Sequence, residues 1–129
     1  MAISIDGTPV ASSAAQLDQT IIALQVTLGT AATAYVVVPW DGKLISVYSV
    51  IDAVLTGADE TLTLKNNAGA TMTGGTITIT QSGSAAGDID SVTPSANNTF
   101  VAGEMMQIAI GGENGAAAAD TLSLVFQVT

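Results

Sequence analysis

The hydrophobic pattern of this chain has the period of a strand almost everywhere. In TLTLK at 61–65, TITIT at 76–80 and TLSLVFQV at 121–128, apolar side chains fall at every second position with hydroxyl or amide side chains between them. Such segments predict half-buried strands, because branched threonines suit the pleat while their hydroxyls stay in water on the outer face. Segments 20–28, 34–38, 43–55 and 104–110 read as further strands. Their alternation is looser, so both of their faces are expected to be partly covered.

Turn chemistry separates these runs at Gly29-Thr30, Pro39-Trp40-Asp41-Gly42, Gly57-Ala58-Asp59, Asn66-Asn67-Ala68-Gly69, Gly74-Gly75, Gly111-Gly112 and Asn114-Gly115. Glycine and asparagine supply the positive φ that chain reversals need. Short strands at intervals of roughly 8 to 14 residues, without an amphipathic helix, predict an all-β chain: an antiparallel β-sandwich, of jelly-roll type. The alanines at 116–119 are too few to stand as a helix.

Two segments break the pattern. Residues 1–19 combine Ile3, Ile5 and Val10 with Gly7, Pro9 and a soft run of Ala and Ser. They read as an extended N-terminal arm, which leaves 20–129 as a single β-sandwich domain. Residues 82–98 are rich in Gly, Ser, Ala and Asp, with Ile89 and Val92 as anchors, and read as a long loop.

Composition narrows the function more than any motif does. The 129 residues are 48% hydrophobic, which excludes disorder, and carry 11 acidic side chains against two lysines, a net charge of −9. There is no His, Cys or Arg. A Ser-His-Asp or Cys-His triad is therefore impossible, and zinc and haem roles lose their usual ligands. Lys43 and Lys65 alone do not neutralise a run of phosphates, so nucleic acid is not an expected partner. The same charge argues against an anionic membrane, and no apolar run approaches the roughly 20 residues of a bilayer span. The first residues lack the basic and apolar regions of a secretory signal, so synthesis in the cytoplasm is expected.

Three chemistries deserve comparison with plainer readings. Asp88 and Asp90, one residue apart, are the candidate ligands for a hard cation such as calcium, with Asp52, Asp59 and Glu60 as potential neighbours. No D-x-D-x-D-G loop with a downstream Glu accompanies them, so solvated loop carboxylates are the expectation and no metal or cofactor is expected. Paired carboxylates also perform glycoside hydrolysis, but no motif selects a pair among Asp52, Asp59, Glu60, Asp88, Asp90 and Glu104. Of the aromatic side chains, Trp40 in its turn is the candidate glycan platform, against the reading that it caps one end of the core. With few large side chains and few charges, the chain is also expected to bury apolar surface against other copies of itself.

The runs KLISVYSVID at 43–52, ADETLTLK at 58–65, GTITI at 75–79, SGSAAGD at 82–88 and FVAGE at 100–104 follow one another in an order that resembles the small jelly-roll decoration, or cement, proteins of tailed-bacteriophage capsids. The resemblance spans about residues 35–129 and brings no catalytic residue with it. It implies a non-enzymatic virion protein on the head exterior, made in the host cytoplasm. There it would act as a homotrimer that clamps neighbouring major capsid proteins. The arm would supply the capsid contact through Ile3, Ile5 and Val10, adding a strand to a partner edge. The alternative is a phage tail or fibre module that binds a carbohydrate receptor.

Overall fold

The alternating segments pair into two antiparallel sheets, and the order of pairing fixes the architecture. A computed structural model describes residues 18–112 and 118–129, together with the backbone of two short strands nearer the N-terminus. The strands are β1 (Ile3–Ile5), β2 (Thr8–Val10), β3 (Gln19–Thr27), β4 (Ala32–Val38), β5 (Gly42–Ile51), β6 (Glu60–Lys65), β7 (Thr71–Ile79), β8 (Ile89–Val92), β9 (Thr99–Phe100), β10 (Glu104–Ile110) and β11 (Ala119–Val128). One sheet runs β3-β11-β5-β8, with β9 also on β5, and the other runs β4-β10-β6-β7. Apart from the β6–β7 hairpin, successive long strands alternate between the two sheets. That winding is a jelly roll, two interlocked Greek keys, and the described residues contain no helix.

The inner rows of the two sheets meet as one core. Leu44, Val47 and Ile51 of β5 and Leu122, Leu124 and Phe126 of β11 face Leu62 and Leu64 of β6, Ile77 and Ile79 of β7 and Met106 and Ile108 of β10, all buried. The irregular alternation of 43–55 has a local cause. Between Leu44↔Phe126 and Ser46↔Val125, β5 carries one extra residue, Ile45, so Leu44 and Val47 can both point inward. The strand ends at Ile51 rather than running on to 55.

Two expectations are corrected. Gly74-Gly75 is not a turn between strands but lies inside β7, where the register with β6 shifts. There β7 leaves its partner and Thr73 pairs instead with Ala96. Gly75 is buried at the bulge, and a Cβ there would sit 2.7 Å from the Cβ of Met72, so the site needs glycine for close approach rather than for reversal. Likewise 82–98 is not one long loop, because Ile89–Val92 forms β8 along β5, with Val47↔Val92 and Val50↔Ile89 in register. Its four side chains alternate too briefly to be legible, and the strand exists because β5 offers it an edge. Residues 1–17 of the arm lie outside the described residues, except that the backbone of β1 and β2 forms a hairpin, with Ile3↔Val10 and Ile5↔Thr8 in register.

Candidate functional site

Six of the described acidic side chains, Asp41, Asp52, Asp59, Glu60, Asp88 and Glu104, accept hydrogen bonds from backbone amides. Jelly-roll strands end in loops whose N–H groups lack a ladder partner, and a carboxylate placed there satisfies them. Asp41 Oδ1 accepts from Ala102 N at 2.8 Å, Asp52 Oδ1 from Ala119 N at 2.8 Å, Asp59 Oδ1 from Gln81 N at 2.8 Å and Glu104 Oε1 from Val101 N at 2.6 Å. Buried Glu60 binds three amides: Oε1 accepts from Gly112 N at 2.7 Å and Thr61 N at 3.1 Å, and Oε2 from Gly29 N at 3.2 Å. It thereby ties the β3–β4 turn to the end of β10. Each of these contacts ties one stretch of the chain's own backbone to another.

Asp88 and Asp90 do come together. They line a cavity of about 180 Å³ with Ile79, Thr80, Ser82, Gly83, Ser84 and Ile89, where the end of β7 approaches β8. Asp88 closes its own loop through Oδ2, which accepts from Ala85 N at 2.8 Å. Asp90 lies opposite Ser49 on β5, and burial, then the charge of Asp88, raises its pKa. Among the described residues, no three His, Cys, Asp or Glu side chains converge to hold a metal ion. Asp52, Asp59 and Glu60, named with Asp88 and Asp90 as candidate neighbours, are engaged as above.

The acid that the sequence reading passed over is Asp120. It is fully buried, and Ser49 Oγ donates to its carboxylate, lying 2.8 Å from Oδ1 and 2.9 Å from Oδ2. Burial is the largest influence and pushes its pKa up to about 6, against the opposing hydrogen bonds from Ser49 and the Val50 amide, while the charge of Asp90 adds to the rise. A signal was present: 120, 122, 124 and 126 share one face of β11, and that face is the core.

Trp40 is half-buried, its ring edge-on to Phe126 at 5.6 Å, and Phe126 in turn meets Phe100 edge-on at 6.0 Å. Its indole N–H is buried without a partner among the described residues. The exposed aromatic faces are instead those of Tyr35 on the four-stranded sheet and Tyr48 on the five-stranded one. The capsid-contact candidates Ile3, Ile5 and Val10 belong to the hairpin, and their side chains lie outside the described residues.

With this geometry in hand, the chain can be set beside known proteins. No protein-family model matches it, and no curated protein matches it in sequence. A chain of the acid-stable capsid structure of Helicobacter pylori bacteriophage KHP30 superposes with a TM-score of 0.56 at 7% identity, over 85% of this chain and 87% of that one. The likeness is one of fold. A chain of the cyanophage Pam1 capsid asymmetric unit matches at a TM-score of 0.47 and 14% identity, covering 86% and 82%. CsCBM6-3 from Clostridium stercorarium, in complex with cellobiose, matches at 0.47 and 17%, covering 87% and 83%.

Proposed function

We propose that this chain is a non-enzymatic structural protein of a phage virion, a capsid decoration or cement protein. In this reading it sits as a homotrimer on the outer surface of the head and stabilises neighbouring major capsid proteins. The observation that carries the reading is the shared fold with the KHP30 capsid chain over 85% of this one. The chemistry of the molecule supports it. The chain has no His, Cys or Arg, its loop carboxylates are engaged in closing its own backbone, and its two sheets form a rigid sandwich. The N-terminal hairpin is the proposed capsid contact, through Ile3, Ile5 and Val10.

Electron cryomicroscopy of the virion that carries this chain tests the reading. Trimers of the sandwich at local threefold positions of the head are the expected result, and density confined to the tail would move the assignment to a receptor-binding module. A chain lacking residues 2–15 should remain folded and fail to pellet with capsids. Retained pelleting would overturn the assignment of the contact to the arm.

A further inference from the structure

Three carboxylates and one hydroxyl crowd the end of β5 where β8 and β11 flank it. Ser49 donates to the buried carboxylate of Asp120 on β11, and on its other side it stands in register with Asp90 of β8. Asp90 alternates along β8 with Val92, which packs on the core, so the half-buried Asp90 carboxylate is turned toward the same inner row. Asp88 lies just ahead of the strand. Its carbonyl accepts from Ile51 N at 3.2 Å, and the Gly87 amide donates back to Ile51 O at 2.7 Å.

Around this cluster the described titratable groups all carry the same sign. Asp120 has Val26 of β3 and Ile51 of β5 as its register partners, and β7 brings no ionisable side chain. Asp52 follows β5, and Asp59 and Glu60 open β6 at the same end, each already holding a backbone amide. The lysines stand at the far end. Lys43 lies eight residues before Ile51 on β5, roughly 26 Å away by strand rise. Lys65 closes β6, whose opposite end, Glu60, pairs with Ile79 of the cavity wall. Burial raises the pKa of both Asp120 and Asp90, and the charges of Asp90 and Asp88, respectively, add to the rise.

The element able to yield is β8. It has four residues, pairs on one side only at the end of its sheet, and lines a cavity of about 180 Å³ beside the end of β7. By contrast, β11 runs for ten residues between β3 and β5 and is held on both edges. We propose that Asp88, Asp90 and Asp120 make β8 an acid-closed latch: protonated, they let the strand lie on β5, and ionised together, they raise the population in which β8 has left β5 while the rest of the sandwich stays folded. The sign follows from linkage, since a closed state that holds its protons more tightly is favoured by acid. Closure is strongest below about pH 4 and weakens as pH rises through about 6. The latch is a property of the isolated chain and stands apart from any role in a virion.

Amide hydrogen exchange on the full chain tests it, with each rate divided by the intrinsic rate at the same pH. Protection of residues 89–92, together with Gly87 and Ile51, should fall about tenfold or more between pH 4.5 and pH 7.5. That fall should persist almost unchanged in low urea, the mark of a local opening, whereas exchange through global unfolding steepens with urea. Asp90→Asn removes the middle charge and should return most of the lost protection at pH 7.5, and Asp120→Asn should do the same. Three results would overturn the latch: protection at 89–92 that does not vary with pH, variation confined to the urea-steep global exchange, or an Asp90→Asn chain that keeps the native pH dependence. The first two are read on the native protein and need no variant to fold.

Discussion

Ser49 and Asp120, 71 residues apart in sequence, form a hydrogen-bonded pair sealed between the sheets, with Ser49 Oγ 2.8 Å from Asp120 Oδ1 and both side chains fully buried. Each occupies a place in an inner row otherwise filled by Leu, Ile, Val and Phe. A carboxylate there is tolerated because the hydroxyl and the Val50 amide bind it, yet its charge stays costly.

That cost has a defined pH dependence. The unfolded carboxyl titrates near 3.8 and the folded one near 6, so the folded state holds the proton more tightly. The contribution of Asp120 is fully present below pH 4, falls as pH rises through 6, and is lost above it. The displacement corresponds to roughly 3 kcal/mol as an upper bound. Asp120→Asn, which keeps an acceptor for Ser49, should raise the melting temperature at pH 7.5 and leave it nearly unchanged at pH 4. Thermal melts of both proteins across pH 4–8 check this, and parallel curves would refute it.

Glu60 should be a stability hub. Glu60→Ala removes the acceptor of three amides, and about 3 kcal/mol or more should be lost in urea unfolding, with Glu60→Gln intermediate. Its partner Gly112 has φ of 76°, and a Cβ there would run into the Ala31 amide. Gly112→Ala should cost about 2 kcal/mol or more by the same measurement.

For Trp40, the edge-on contact with Phe126 and the unpartnered indole N–H predict different outcomes for two substitutions. Trp40→Phe keeps a ring in place and discards a buried donor, so stability should stay within about 1 kcal/mol. Trp40→Ala should cost about 2–3 kcal/mol. A glycan array that bound the native chain and lost signal in Trp40→Phe would show a receptor role that this packing does not predict.

Calcium provides a separate check on the Asp88–Asp90 cavity. Asp88 is engaged by Ala85 N, and no third ligand converges there among the described residues. Millimolar calcium should leave the melting temperature unchanged. A rise that grows with calcium concentration would reveal a bound ion by mass action.

The fold class was legible in alternation alone, because the pattern at 61–65, 76–80 and 121–128 commits one face of each strand to a core whatever its partners are. Sequence alone also determined what chemistry is absent, since the missing His, Cys and Arg are a matter of composition. Pairing was left to the tertiary structure. IDSV at 89–92 becomes β8 only because β5 presents an edge to it, and Gly74-Gly75 becomes a bulge rather than a turn only because Thr73 of the same strand finds a new partner in Ala96. The same holds for Asp120 and Ser49: alternation places each inside, but only the neighbouring register of β5 and β11 makes one the partner of the other. Local propensity is encoded in a few adjacent residues, whereas a jelly roll joins strands distant in sequence. Which edge meets which is decided by the burial of all the strands at once.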